Sequence, residues 1–185
     1  VFAAAAVMIG NLQRGRAEQK QSDFDRIESA RHRAPIQIGA SPAEVALLDR
    51  QPVPVSGRWE NEKTGLIDNR PHNGIAGYHV VTPLRIEGAR ICILVNRGWI
   101  AAPRLRSDLP RLPALPETQV NVRGIARLPL ENAFELAPDR AQGMVWQHLS
   151  LERFRAWSGL VLQPVILLQT DALEDGLVRD WQPAD

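Results

Sequence analysis

The sequence predicts an α+β domain built mainly of an antiparallel β-sheet or a partly closed barrel. About six segments alternate apolar and polar residues at the period of a strand. They follow one another with only two short helical segments, and the absence of regular strand–helix alternation argues against a parallel sheet. At 185 residues the chain can form one domain plus a tail, and its core needs no disulfide or metal for support.

The chain opens with a run of nine apolar residues, 1–9. As a helix this run spans about 14 Å, roughly half the hydrocarbon core of a bilayer. It fits either the core of a signal peptide or the outgoing end of a transmembrane helix, and the charges that follow directly favour the second. We expect residues 1–32 to be the end of a first membrane helix with an exposed helical extension. Residues 33–185 then form an extramembrane domain.

Two short helices are marked by their end signals. Ser41-Pro42-Ala43-Glu44 combines an N-cap serine, a proline at the first helical position and a glutamate three residues after the cap. Ser150 caps the second helix, and Gly159 suits a left-handed C-terminus. Strands are predicted at 53–59, 120–126, 145–149 and 164–169.

The centre of the chain predicts a β-hairpin, with strands at 78–86 and 91–100 joined by a turn at 87–89. The second strand is apolar on both faces, so we place it inside the sheet. Antiparallel pairing brings the segment before the first strand and the end of the second strand together. The candidate binding residues at this end are Arg70, Tyr78, Asn96, Arg97 and Trp99.

These residues allow two interpretations. Arg97 either pairs with Asp68 or Glu60 and braces the strand end, or it anchors a carboxylate. Arg70 carries the same two alternatives. The aromatic side chains at this end either complete the edge of the core or offer an apolar surface to a ligand or partner.

Several classes of function are disfavoured. A formal net charge of +1 without a basic stripe argues against a nucleic-acid partner. None of the four histidines has metal-ligand spacing, and Asp68 with His72 or His79 lacks a nucleophile at a recognisable elbow. Cys92, the single cysteine, lies in an apolar strand and is expected in the core. The proline-spaced stretch 102–118 predicts a long surface loop, a kind of segment that is often functional.

The sequence resembles a known family at its central motifs. These are Leu-Ile-Asp-Asn-Arg at 66–70, Gly-Tyr-His-Val-Val-Thr-Pro-Leu at 77–84 and Leu-Val-Asn-Arg-Gly-Trp-Ile at 94–100. In this order and spacing they resemble the Surfeit-locus assembly factors for cytochrome c oxidase. The resemblance continues into 122–124 and, more weakly, to the regions of Trp146 and Pro164.

The resemblance implies a non-enzymatic assembly factor that helps haem a insertion or delivery into oxidase subunit one. It also implies two flanking membrane helices, a periplasmic domain on the bacterial inner membrane, and subunit one and haem a synthase as partners. The family's haem ligation is attributed to a histidine on the second helix, after residue 185, so no histidine here inherits that role. The alternative is an envelope-tethered, β-rich protein-binding module without haem.

Overall fold

The computed structural model describes residues 38–39, 41–105, 107–129 and 144–181. The strands are β1 (Pro52–Trp59), β2 (Gly65–Ile67), β3 (Gly77–Ile86), β4 (Cys92–Ala101), β5 (Val120–Arg127), β6 (Val145–Trp146) and β7 (Leu162–Gln169). The helices are α1 (Pro42–Val45) and α2 (Leu151–Ser158), with short 3-10 turns at Ala46–Leu48 and Asn61–Lys63. No helix within these ranges has the length and apolar character to cross a bilayer. The prediction for residues 1–32 lies outside the described part of the chain.

Five strands close into a small barrel. They neighbour one another in the order β1, β5, β7, β4, β3, and β3 returns to β1. Closure uses only the second half of β3, at Leu84–Ile86, because residues 79–81 pair with β2 instead. β2 and then β6 therefore extend the sheet beyond the barrel. This architecture confirms the predicted α+β domain with a partly closed barrel.

Two of the pairings are parallel, which corrects the expectation of antiparallel neighbours. β4 runs parallel to β7, and β2 runs parallel to β6. The chain reaches β7 through α2 and so enters the sheet in the same direction as β4. Pro164 lies within β7 where the register with β4 shifts and before the pairing with β5 begins. The missing N–H of the proline therefore interrupts no ladder at that point.

The apolar side chains form two main clusters. The first fills the barrel with one face of each strand and includes Ile93, Val95 and Leu167. The second lies outside the barrel, where Phe154 of α2 packs on Cys92 and Leu94 of β4. Cys92 is 1% exposed, so its predicted place in the core is confirmed. Burial raises the pKa of its thiol, which keeps it protonated at neutral pH.

The predicted end signals of both helices are confirmed. Ser41 and Glu44 form a capping box at α1, with the Ser41 N–H donating to Glu44 Oε2 at 3.2 Å. At α2 the Ser150 hydroxyl accepts from the Arg153 N–H at 3.4 Å. Gly159 ends that helix with φ +71°, a conformation that favours glycine.

The central hairpin turns at Gly88, as predicted, and its register is interrupted near the far end. Val80 lies opposite Gly98, but Val81 lies opposite Asn96, so Arg97 is the extra residue of a β-bulge. The polar segment after β7 is irregular and folds back along the end of β4. We call residues 175–181 the strap. Its Val178 forms an isolated antiparallel bridge with Trp99.

Candidate functional site

A cleft of about 220 Å³ opens where β3 begins and β4 ends. Three parts of the chain form its walls: the segment before β3, the open end of the hairpin, and the strap. The lining includes Arg70, His72, His79, Trp99 and Trp181. The predicted hairpin pairing is therefore confirmed as the feature that brings Arg70 and Trp99 to one end.

Trp99 forms the base of the cleft and is held from two sides. Its indole N–H donates to the Arg70 carbonyl at 2.6 Å. The His72 ring lies 5.2 Å from the indole, centroid to centroid, with a tilt of 43°. Gly77 gives the indole its place, because a Cβ on Gly77 would fall on the Trp99 ring and on the Ile100 carbonyl. The glycine is thus required by close approach.

His79 lies opposite Trp99 in the hairpin register and links the cleft to the bulge. Its Nδ1 is 3.2 Å from Asn96 Nδ2, which can only donate, so the proton of the neutral ring lies on Nε2. The ring meets Trp181 edge-on at a centroid distance of 5.7 Å. The carbonyl oxygen of the Asn96 side chain accepts from the Gly98 N–H at 3.3 Å. Asn96 therefore orients the histidine rather than facing a ligand.

Arg70 is half-buried, and its backbone N–H donates to Gly77 O at 3.2 Å. Within the described residues its guanidinium has no hydrogen bond or ion pair. A guanidinium with open donors beside an indole can bind a carboxylate or another planar anion. Of the five predicted site residues, Arg70 has the arrangement closest to the predicted binding role.

Arg97 lies outside the cleft lining and is 2% exposed. It continues the face of Ile93 and Val95 toward the barrel interior. Its guanidinium carbon lies 5.8 Å from the centroid of the Trp59 ring, and Nη2 donates to the Pro113 carbonyl at 3.4 Å. Burial lowers the pKa of Arg97 to about 10, against a smaller opposing effect of the Asp175 charge.

The expected ion pair of Arg97 with Asp68 or Glu60 is wrong. Glu60 instead accepts from Arg85 at 2.5 Å across the β1–β3 edge, and Asp68 accepts from the neighbouring Asn69 N–H. Arg97 follows the alternation of Ile93 and Val95 and points into the barrel, away from both acids. Its charge is balanced only at longer range, by Asp175 of the strap.

Tyr78 also lies outside the cleft. It is 9% exposed and packs with Leu66, Val80 and Leu177 in a small third cluster. Its role is that of a core-edge aromatic, one of the two interpretations left open above. The structure thus brings Arg70 and Trp99 together, connects Asn96 through His79, and separates Tyr78 and Arg97 from the cleft.

The strap is fixed over the end of β4 by paired contacts. Val178 exchanges two backbone hydrogen bonds with Trp99, of 2.7 and 2.9 Å. Gly98 has φ +136°, and a Cβ there would meet the Val178 carbonyl at 2.8 Å. Within the strap, Arg179 pairs with Asp175 at 2.5 Å. The Trp181 indole N–H donates to the Gln169 carbonyl at 2.8 Å, which anchors the end of the strap.

Asp175 makes the strap sensitive to acid. Burial raises the pKa of this carboxyl, but the hydrogen bonds from Arg179 and the Leu177 N–H and the nearby arginine charges lower it below its ordinary 3.8. A carboxylate whose pKa is lowered on folding stabilises the folded state above pH 3.8. That contribution disappears as the pH falls through the folded pKa.

We therefore expect the strap to loosen in wild-type protein as the pH falls below 3.8, and we expect no such step in Asp175→Asn. The measurement is an acid titration of the Trp181 fluorescence, taken as the difference between each protein and its Trp181→Phe counterpart. Identical acid profiles with and without Asp175 would show that this carboxylate does not hold the strap.

Sequence reasoning missed the histidines and Trp181 as members of this site. His79 was within reach, because antiparallel pairing about Gly88 places it beside Trp99. Trp181 gives no local signal, since its partners are distant in the chain. No cluster of three or more metal-ligating side chains occurs among the described residues. The arrangement is suited to non-covalent recognition by one guanidinium and two indoles.

The fold and the site define a small mixed β-barrel domain with an aromatic cleft at one end. The model of the SURF1 family matches residues 1–184, and the chain belongs to this family. This confirms the resemblance identified at the hairpin motifs.

The chain is similar to several curated proteins. It is 28% identical to Surfeit locus protein 1 of Mus musculus over 179 residues, which cover 84% of this chain and 55% of that protein. It is 26% identical to Surfeit locus protein 1 of Takifugu rubripes over 135 residues, 65% of this chain and 56% of that protein. A SURF1-like protein of Monosiga brevicollis is 26% identical over 129 residues, 64% of this chain and 49% of that protein. The chain spans about half the length of these relatives.

Proposed function

We propose that this chain is the extramembrane domain of a non-enzymatic assembly factor for cytochrome c oxidase. The observation that carries the proposal is the family match, which extends from residue 1 to residue 184. The motifs that resemble the family most closely form the central hairpin and the segment before it. These are also the parts of the chain that form the cleft.

The proposed task is to assist haem a insertion into oxidase subunit one, with the domain on the periplasmic side of a bacterial inner membrane. Sites that enclose small molecules usually measure about 300–1,000 Å³. The cleft, at about 220 Å³, is smaller than this range and does not fit a whole haem. In this proposal the domain contacts an edge of the cargo or a partner side chain. Iron ligation belongs to another part of the full-length protein.

The recognition step is proposed for Arg70 and Trp99. The open donors of Arg70 bind a carboxylate, either a haem propionate or an acidic residue of subunit one or haem a synthase. The exposed edge of the cleft aromatics gives the adjoining apolar contact. The role of Arg97 in this account is to hold the strand end, since a side chain 2% exposed does not meet a ligand.

The alternative function is an envelope-tethered protein-binding module without haem. One observation favours it, the small volume of the cleft. The two candidates differ in whether the full-length protein carries pigment. We would purify the full-length protein from a host that makes haem a and record its absorption spectrum, with Arg70→Ala and Arg90→Ala prepared in parallel. Arg90 is an exposed arginine at the opposite end of the hairpin and serves as the matched control.

If the cleft handles haem, we expect wild type and the Arg90 variant to bind haem a. The Arg70 variant should retain it more weakly. A colourless full-length protein that still restores oxidase would support recognition of a protein partner alone. Equal retention by all three proteins would remove Arg70 from the site.

A further inference from the structure

The loop between β4 and β5 presents an exposed face of two leucines and two arginines. Leu105 is 64% exposed and Leu109 is 51% exposed. Arg104 and Arg111 flank them and are exposed as well. We call these four residues the loop face. Neither the mechanism of the cleft nor the packing of the barrel uses them.

Other residues of this loop form its inner side and contact the rest of the domain. The leucines of the loop face are therefore not core residues that lack a covering element. Its first residue, Ala102, donates its N–H to the Ala76 carbonyl at 2.9 Å. Further along, Leu112 packs against the cluster of Tyr78 and Leu177, and the Pro113 carbonyl accepts from Arg97. The loop is therefore fixed at both sides of the projecting part.

The projecting part is a tight turn. The Asp108 N–H donates to the Leu105 carbonyl at 3.0 Å, and the Ser107 hydroxyl donates to the Asp108 carboxylate at 3.1 Å. Asp108 gives this turn one negative charge, and the loop face carries the two positive charges of its arginines. Prolines at 103 and 110 limit the backbone on either side. The two leucines are exposed on this loop and do not line the cleft.

We propose that the loop face docks on the surface of an anionic lipid bilayer. Apolar side chains flanked by arginines suit the boundary between headgroups and acyl chains, where the leucines enter and the guanidiniums meet lipid phosphates. A headgroup layer adapts to a projecting turn and requires no complementary groove.

The test compares vesicles of phosphatidylcholine alone with vesicles that also contain phosphatidylglycerol, using the complete 185-residue chain. Two double variants are tested. One combines Leu105→Glu with Leu109→Glu, and the other combines Arg104→Glu with Arg111→Glu. The controls are Val161→Glu and Arg90→Glu, which are exposed positions at the opposite end of β4. All proteins share residues 1–36, so any binding by that segment is common to the set.

We expect each double variant to bind phosphatidylglycerol vesicles about tenfold more weakly, or worse. We expect each control to remain within about twofold of wild type. Circular dichroism checks that every variant is folded. Double variants that bind as wild type does would overturn the proposal.

A label gives a readout specific to the loop. Ser107→Cys is exposed, whereas Cys92 is buried, so an environment-sensitive thiol dye attaches at the turn. The dye is expected to shift to shorter wavelength with phosphatidylglycerol vesicles and not with phosphatidylcholine alone. No shift, or an equal shift with both lipids, contradicts the proposal. A shift only with detergent-solubilised membrane proteins would assign the loop face to a protein partner. That result would also contradict the proposal.

Discussion

Replacing Arg97 by alanine is expected to lower the free energy of unfolding by about 3 kcal/mol or more, because it opens a cavity at the barrel end. Arg97 is the largest fully buried side chain among the described residues, and Trp59 and Pro113 lose their contact with it. For a domain of this size that loss lowers Tm by about 10 °C. Urea unfolding followed by circular dichroism measures it.

Arg97→Met separates volume from charge at this position. The lowering of the Arg97 pKa to about 10 corresponds to about 3 kcal/mol of cost in keeping the buried group charged. Methionine fills much of the same space without that cost, so we expect its stability to lie within about 1.5 kcal/mol of wild type. If methionine destabilises as much as alanine, the contacts of the guanidinium itself hold the strand end.

The charge of Arg97 also predicts a dependence on alkaline pH. Its pKa is lowered to about 10 in the folded protein, so the cost of burial is fully present below pH 10 and is relieved as the pH rises above 10. Wild type should therefore gain stability relative to Arg97→Met above pH 10. A constant difference between the two proteins across this range would contradict the assigned cause of the shift.

Gly77→Ala is expected to cost about 2 kcal/mol or more, since the added methyl group overlaps both the Trp99 indole and the Ile100 carbonyl. The indole must move, which breaks its hydrogen bond to the Arg70 carbonyl and its contact with His72. The indole N–H resonance of Trp99, assigned with Trp99→Phe, should shift or broaden. This variant therefore changes the stability and the cleft together.

Gly39→Ala is the matched control for Gly77→Ala. A Cβ at Gly39 meets nothing closer than 4.0 Å, and its φ is not in the left-handed region. We expect its stability to stay within about 0.5 kcal/mol of wild type and the Trp99 resonance to be unchanged. If both glycine variants behave alike, close approach to Trp99 is not the reason for glycine at 77.

Much of the fold is predictable because its signals are local. Alternation and the turn at Gly88 predict the hairpin, and Ser41 and Ser150 predict the helix starts. The parallel β4–β7 pairing joins segments about 70 residues apart, and no local pattern encodes such a pairing. Barrel closure through half of β3 could not be predicted for the same reason, since no local pattern encodes that pairing either.

The candidate site is predictable to the extent that it lies on the hairpin. Arg70 and Trp99 were placed at one end by register alone. Register places Arg97 at the same end, but the burial of its side chain depends on the closure of β3 onto β1, which no local pattern encodes. The strap contributes Val178 and Trp181 through contacts with distant residues, so its part in the cleft required the three-dimensional structure.

If the cleft serves an oxidase assembly factor, Arg70 is needed for the restoration of oxidase in cells. In a bacterium whose own family member has been deleted, full-length wild type, Arg70→Glu and Arg90→Glu are expressed to equal levels. Haem a absorbance is then measured per amount of oxidase subunit one in the membranes. We expect wild type and Arg90→Glu to restore the oxidase and Arg70→Glu to fail. Full restoration by Arg70→Glu, or none by wild type, would contradict it.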